Sequence, residues 1–387
     1  MIASAVSLVP CDVASRIGRL AATLDAAQCD LLVVTNLRNV RYLTGFRGSA
    51  GVLIVSTEGA AVLCTDARYE TQAPADLAAS GATGVRIDIT SESGPKARSA
   101  KDAFLDAVRA TAVRSGVPRL GLEAPSVSWA AQRRYAEWLA ELSADAVVVA
   151  TDALVERLRL VKDAGEVARI SLAAAIADEA FATVRRQLLD RPTESEFGFE
   201  LDVAMRRLGA AERSFETIVA SGPNSASPHA RPGSRRIEAG DLVVVDFGAM
   251  VDGYRSDMTR TVMVGEPSVL QRRLLDVVTA AQAAGAAAIG PGAACKDIDT
   301  ACRDVIAAAG WAPRFLHGTG HGVGLDIHEA PWVNARSAAT LAPGHVITVE
   351  PGVYLPEVGG VRVEDTLLVT ETGARPLTRA PKDPILM

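Results

Sequence analysis

Apolar positions in the first part of the chain switch repeatedly between helical and strand spacing. Val13, Ile17, Leu20 and Leu24 form a helical stripe, and the β-rich run 31–35 follows it. Strand-like runs return at 52–57, 61–65, 85–90 and 146–150, and helical patterns at about 97–114 and 128–142. This alternation predicts an α/β domain over residues 1–155. It contains no histidine, and Arg41, Arg47 and Arg68 read as surface or turn residues.

Residues 156–387 follow a different pattern. Asp163 with Glu166 reads as a helix N-cap and its reciprocal partner, ahead of the stripe Val167, Ile170, Ala174, Ala177, Phe181, Val184. Thr193 with Glu196 makes a capping box for a second helix, which carries Phe197, Leu201, Met205 and Leu208 and stops at Gly209. A long loop over 221–240 and a strand pair over 243–264 come next. The order then repeats. Ser268 with Gln271 caps a helix through Ala288, a second helix over about 296–309 stops at Gly310, and a strand pair over 346–369 follows a loop. Little identity links the two halves, so the repeat is one of architecture. It predicts a pseudo-two-fold domain with a site between its two β-ribbons.

Composition narrows the function. The 387 residues are 49% hydrophobic and 22% charged, enough to bury a large core without disulfides or a structural metal. A metal site in such a chain is therefore read as functional. The net charge of −6 comes with no Lys/Arg run, which argues against nucleic acid. Five scattered cysteines, none in a C-x-x-C pair, fit a reducing cytoplasm. The start MIASAVSLVP lacks a basic leader region, and no aliphatic run is long enough to span a bilayer, so a cytoplasmic protein without membrane attachment is expected.

Acids on otherwise Val-rich strands point to the chemistry. Asp246 in DLVVVDFGAM and Asp257 in DGYRSDMTRTVMV flank a turn containing Val251, Asp252 and Gly253. A turn centred between Val251 and Asp252 would set the two aspartates directly opposite, with Cβ atoms about 5 Å apart, where like charges are destabilising. One must then be protonated, or a cation must lie between them. Glu350 in TVEPGVY and Glu364 in GGVRVEDT repeat the arrangement in the second ribbon. All five histidines lie beyond residue 228, and His317, His321 and His328 share the segment FLHGTGHGVGLDIHEAP, whose glycines permit close approach. One imidazole with four carboxylates is a hard, oxygen-rich set. It favours two divalent ions, Mn²⁺ first, with Co²⁺, Fe²⁺ or Zn²⁺ as alternatives. No H-E-x-x-H, phosphate-binding glycine motif or G-x-S-x-G elbow competes.

Asp246, Asp257, His321, Glu350 and Glu364, in this order and these contexts, resemble the ligands of the pita-bread metallopeptidases. That family includes methionine aminopeptidase, aminopeptidase P and prolidase. NVRYLTGFRGSAGVLIV resembles the creatinase-type N-terminal domain of the Xaa-Pro branch, so the likeness spans nearly the whole chain. It implies a creatinase-like α/β domain ahead of an α+β pita-bread catalytic domain, in a homodimer that cleaves Xaa-Pro bonds of proline-containing peptides. It further implies that Asp246 chelates one ion, that Asp257 and Glu364 bridge two, and that His321 and Glu350 complete the other. A bridging hydroxide would be the nucleophile, with Glu350 as general base and acid. His229 and His328 would touch substrate and stabilise the tetrahedral intermediate, and His317 would line the proline side as a further catalytic residue. Arg362 would orient Asp246 and contribute to substrate binding. Some relatives carry Tyr where this chain has Phe215, bonded to the first metal aspartate, and Phe215 cannot donate that bond.

Three other readings compete. Methionine-aminopeptidase specificity is opposed by the N-terminal domain. Metal-free creatine amidinohydrolase chemistry and a non-catalytic peptide- or protein-binding role are opposed by the complete five-residue set.

Overall fold

The protein is described here from a computed structural model covering residues 7–91, 98–110 and 118–387. It divides into two compact units between Arg159 and Leu160, and residues 7–9 go with the second unit.

The first unit is built on a six-stranded mixed sheet. Its strands are β1 (Leu31–Val34), β2 (Val52–Ser56), β3 (Ala61–Asp66), β4 (Val85–Thr90), β5 (Arg119–Glu123) and β6 (Val147–Thr151), in the order β4-β3-β2-β1-β5-β6. β1 is fully buried and central, which is why it reads as a continuous apolar run rather than an alternating one. The helices are α1 (Arg16–Leu24), α2 (Leu37–Thr44), α3 (Gln72–Ser80), α4 (Ala100–Ala110), α5 (Trp129–Ala140) and α6 (Leu154–Arg159). Residues 97 and 111–114 of the helical pattern predicted at 97–114 lie outside the described residues, as do residues 1–6 of the N-terminal segment. Helices α2, α3 and α6 and strand β5 were not predicted. In β5 the sequence RLGLE is short, charged at both ends and interrupted by Gly121. The glycine is required by contact, since a Cβ there would lie 2.8 Å from Cys29 Sγ.

The second unit repeats helix, helix, ribbon. Capping boxes start α7 (Ala164–Val184) at Asp163/Glu166, α8 (Glu194–Leu208) at Thr193/Glu196 and α9 (Val269–Ala287) at Ser268/Gln271. These are the three boxes read from sequence. Gly209 ends α8 with φ +111°, and α10 (Cys295–Ala308) follows α9. The first half carries β7 (Glu212–Arg213), β8 (Ile218–Ser221), β9 (Leu242–Phe247), β10 (Ala249–Val251), β11 (Tyr254–Arg255) and β12 (Met258–Val264). The second carries β13 (Gly320–Gly322), β14 (Glu329–Val333), β15 (Val346–Val349), β16 (Gly352–Leu355), β17 (Gly359–Arg362), β18 (Asp365–Thr370), β19 (Gly373–Pro376) and β20 (Ile385–Leu386). Larger sheets run β20-β12-β9-β8 and β14-β13-β15-β18-β19. Each half has its own apolar core. Phe181, Phe197, Leu201 and Met205 of α7 and α8 pack with Val243, Val245 and Phe247, and Leu274, Val278, Ile298 and Ile306 of α9 and α10 pack with Ile347, Val349 and Val361.

The first ribbon departs from its expected register. Asp246 pairs with Thr259, and Val251 with Tyr254. The two turn residues are Asp252 (φ +46°) and Gly253 (φ +78°), both in the left-handed region that suits a tight hairpin. The turn centre therefore lies one residue later than expected, and Asp257 faces Gly248 instead of Asp246. The aspartates become diagonal neighbours on one face, still within reach of a shared ion but relieved of direct opposition. In the second ribbon, Val349 pairs with Asp365 and Gly352 with Arg362, so Glu350 and Glu364 do face one another. The four acids are thus not in equivalent places. Relative to Asp246 and Glu350, Thr259 stands where Glu364 does, and Asp257 where Arg362 does.

Close approach fixes these positions. A Cβ on Gly248 would lie 2.0 Å from the Ser256 carbonyl oxygen, and one on Gly320 equally near that of Thr348. In the histidine-rich segment Gly320 both brings strands together and lines the cavity, as Gly318 does, which fits the close approach expected there. Gly248→Ala is expected to cost about 1–3 kcal/mol through overpacking. The denaturant midpoint measures this, and a wild-type midpoint would contradict the pinch.

Candidate metal centre

One cavity of about 370 Å³ in the second unit gathers the residues singled out in the sequence. Its walls include Asp246, Asp257, His321, Glu350 and Glu364, with His229, His317, His328 and Arg362, and with Phe215, Ile218 and Trp332 as apolar surface. Asp246 comes from the end of β9, Asp257 from the step between β11 and β12, and Glu350 and Glu364 from the breaks either side of β16 and β17. Each acid sits where a ladder ends or kinks, so its carboxylate can turn into the cavity.

A seam of hydroxyls joins the two ribbons. Thr259 Oγ1 donates to Glu364 Oε2 at 2.7 Å, Thr261 Oγ1 to the Arg362 carbonyl at 2.8 Å, and Thr366 Oγ1 to the Asp257 carbonyl at 2.7 Å. The Glu364 N–H donates to the Thr259 carbonyl at 3.1 Å. Buried Arg260 pairs with Asp365 at 2.8 Å and donates to the Glu364 carbonyl. Sequence reasoning missed all of these. The available signal was the polar series Thr259-Arg260-Thr261 inside a strand buried along its whole length.

The donor set fits divalent ions on its own geometry. Ligand atoms of Asp257, His321 and Glu364 lie within 4.8 Å of one another. Asp246 Oδ1 and Glu364 Oε1 are buried with no hydrogen-bond partner, a costly state for a carboxylate oxygen unless something else satisfies it. His321 Nδ1 faces the Gly322 carbonyl at 3.0 Å and must carry the proton there. Its Nε2 then turns a lone pair toward Glu350 Oε1 at 3.3 Å and Asp257 Oδ2 at 3.6 Å. An acceptor aimed at acceptors calls for a cation between them, or for a second proton on the ring.

The titration behaviour of these groups has the same origin. Burial, then the charges of Glu364, Asp246 and Glu350, push Asp257 well above the usual carboxylate range. Burial, then Glu350 and Asp246, do the same to Glu364. For Glu350 burial is outweighed by the hydrogen bond and charge of His321, which hold it down at about 2. Burial likewise disfavours a charged His321, but the bond and charge of Glu350 prevail and raise it.

The histidines divide by what their nitrogens do. His317 Nδ1 is 2.8 Å from the Gly318 carbonyl and Nε2 2.9 Å from the Tyr354 hydroxyl. Both nitrogens are engaged, and the ring lines the cavity. His229 and His328 are exposed on the cavity lining. The His328 ring stands edge-on to His321, centroids 4.4 Å apart. Arg362 is spent on its neighbours: Nη2 on Asp246 Oδ2, Nη1 on the Pro228 carbonyl at 3.1 Å and on Tyr354 Oη at 2.8 Å, and Nε on Thr259 at 3.0 Å. It holds Asp246 from the cavity lining. Tyr354, which ties Arg362 to His317, was not anticipated.

Known proteins share this sequence pattern and fold. Residues 168–371 match the model of metallopeptidase family M24, and residues 16–161 match the creatinase/prolidase N-terminal domain. A peptidase of Bacillus subtilis is 42% identical over 92% of this chain and 96% of its own. The Xaa-Pro dipeptidase of Pyrococcus furiosus is 41% identical over 60% of this chain and 67% of its own. Among solved structures, an Xaa-Pro dipeptidase from Bacillus anthracis superposes with a TM-score of 0.87 at 38% identity, covering 97% of this chain and all of that one. An X-Pro aminopeptidase from Thermotoga maritima does so at 0.82 and 32%, covering 93% and 98%. With a creatinase/prolidase N-terminal domain, a pita-bread catalytic domain and a buried cluster of donors suited to divalent metal, the chain belongs to metallopeptidase family M24 and is a peptidase.

Proposed function

We propose that this peptidase hydrolyses the bond before proline at the N-terminus of peptides or in dipeptides, with two divalent ions, Mn²⁺ foremost. The observation that supports the metal part is the pair of unpartnered acceptors, Asp246 Oδ1 and Glu364 Oε1, which share one cavity with Asp257, His321 and Glu350. Four carboxylates also balance the charge of two divalent ions. The Xaa-Pro part rests on the relatives, several of which are Xaa-Pro dipeptidases or aminopeptidases. A cavity of about 370 Å³ lies in the range of roughly 300–1,000 Å³ usual for small-ligand sites and suits a short peptide. The creatinase/prolidase-type domain weighs against methionine-aminopeptidase specificity, and the complete donor set against a purely binding role.

Asp246, Asp257, His321, Glu350 and Glu364 would hold the ions, which supply Lewis acidity and a water that ionises near neutral pH. Glu350 keeps a carboxylate facing the cavity and takes up and returns the proton. His229 and His328, exposed on the lining, contact substrate and the charge that develops on the scissile carbonyl. Arg362 fixes the rotamer of Asp246, while the rings of Phe215, Trp332 and His317 exclude water from the apolar side.

Elemental analysis of the active protein is expected to find two divalent ions per chain, and chelation to abolish cleavage of Ala-Pro and Ala-Pro-Ala. Active protein free of transition metal would sink the metal assignment, and failure to cleave either substrate would sink the specificity.

Glu350→Gln and His229→Ala separate proton transfer from contact. The first should lower turnover by at least the roughly 10²–10⁴-fold of a lost general base. The second should keep its metal and lose kcat/KM through weaker transition-state stabilisation. Metal loss in His229→Ala, or near-normal turnover in Glu350→Gln, would overturn these roles.

The raised carboxylates give a pH dependence of fixed sign. Asp257 and Glu364 have higher proton affinity in the metal-free fold than in the unfolded chain. Their contribution is therefore fully present below the ordinary carboxylate range, about pH 4, and is lost as pH climbs through their raised values. Divalent ions displace those protons and offset the repulsion left behind. The gap in Tm between metal-loaded and chelator-treated protein should therefore widen as pH rises from about 5 to about 8 at fixed free metal. A gap that stays constant or narrows would count against crowded carboxylates as its source.

A further inference from the structure

We infer that Glu194 is a positioning residue for His229: its carboxylate staples together the two stems of the loop that carries this histidine. The inference rests on the substrate-contact reading of His229 given above.

Glu194 is the first residue of α8 and is fully buried, yet it lies outside the cavity lining. Its two oxygens serve different ends of one loop. Oε1 accepts from the Ser221 N–H at 2.7 Å and the Ser221 hydroxyl at 2.8 Å. Oε2 accepts from the Gly233 N–H at 3.0 Å. Asn224 Nδ2 bridges both, at 3.0 and 3.2 Å. Every one of these donors is neutral and lies between residues 221 and 233. The start of α8 adds two backbone bonds on the far stem, from Glu194 N–H to the Arg235 carbonyl and from Ser195 N–H to the Gly233 carbonyl.

Between the stems the chain has little structure of its own. A 3₁₀ turn covers Gly222–Ala226, three prolines remove N–H donors, and His229 is exposed. Two hydrogen bonds tie this stretch to the second ribbon, from Gly360 N–H to Ser225 Oγ at 2.8 Å and from Arg362 Nη1 to the Pro228 carbonyl, and the 3₁₀ turn packs against β17. A loop of this length with free ends would place His229 over a wide range of positions. Fixing both ends on one rigid carboxylate at a helix N-terminus, where negative charge is favoured, narrows that range. A buried carboxylate is costly unless its lone pairs are filled, and the loop stems are what fill them. Folding of the loop and burial of Glu194 are therefore mutually dependent.

The isosteric Glu194→Gln separates this role from bulk packing. A glutamine retains one acceptor and presents an NH₂ donor to either Ser221 N–H or Gly233 N–H, releasing one stem. In the metal-loaded protein we expect three results: metal content unchanged, faster amide hydrogen exchange across 221–233, and kcat/KM for Ala-Pro lowered toward that of His229→Ala. The deciding measurement is the double-mutant cycle. If Glu194 acts through His229, the double variant should be no worse than His229→Ala within about 2-fold, since the contact is already gone. Losses that multiply, exchange that does not change, or metal lost from Glu194→Gln each overturn the positioning role. If His229→Ala itself shows no deficit, the contact reading of His229 fails, and the positioning inference fails with it. If His229→Ala is deficient and Glu194→Gln is not, only the inference about Glu194 fails. Should Glu194→Gln not fold, Asn224→Ala removes the donor shared by both oxygens and enters the same cycle, with the same outcomes deciding.

Discussion

Four carboxylates facing one cavity repel each other, and burial worsens their position. This is the constraint on which the catalytic unit depends. Neither half could hold its acids alone. The first ribbon relieves the strain by register, placing Thr259 opposite Asp246 and setting Asp257 on the diagonal. The second leaves Glu350 and Glu364 face to face and gives each a compensating neighbour, His321 for Glu350 and the Thr259 hydroxyl for Glu364. What remains without a protein partner, Asp246 Oδ1 and Glu364 Oε1, belongs to a donor set suited to divalent metal.

The framework is rigid around these donors. Thr259, Thr261 and Thr366 bond across the seam, so displacement of one ribbon breaks several buried hydrogen bonds together. Arg260 adds a charge-assisted tie to the Glu364 carbonyl and to Asp365, which Lys382 also meets. Such a network is high-stakes, because each member lost leaves another buried and unpaired. Close backbone approach at Gly248 and Gly320 serves the same end, by excluding the slack that a side chain would introduce.

Local signals in the sequence were legible, and non-local ones were not. The three capping boxes depend on residues three apart and were read correctly. The ribbons were visible as Val-rich runs with misplaced acids. The register of the first was not, because a one-residue choice of turn centre decides it. The tighter clue was the Asp252-Gly253 pair, the residue types best suited to two consecutive left-handed positions. β5 escaped because its burial comes from neighbours on both sides, while its own residues carry charge. Its Glu123 is buried and held by the N–H groups of Thr35 and Asn36 and by the Asn39 side chain. The same holds at the site. The five donors stood out by chemistry, whereas Tyr354, Glu194 and the threonine seam became visible only once long-range contacts were known.

Phe215 shows how the network tolerates a change of chemistry at its edge. A tyrosine there would offer Asp246 a phenolic donor, and phenylalanine offers none. Asp246 nonetheless has one oxygen held, by Arg362 Nη2, and the guanidinium is itself fixed by Thr259, Tyr354 and the Pro228 carbonyl. A charge-assisted bond from a group fixed at three other points restrains the carboxylate more firmly than one neutral hydroxyl could. Asp246 Oδ1 is left free of any protein donor. The apolar ring instead joins Ile218 on the cavity lining. Orientation of Asp246 therefore falls to the second ribbon, through Arg362, so that the first ribbon's acid is aimed by its partner half.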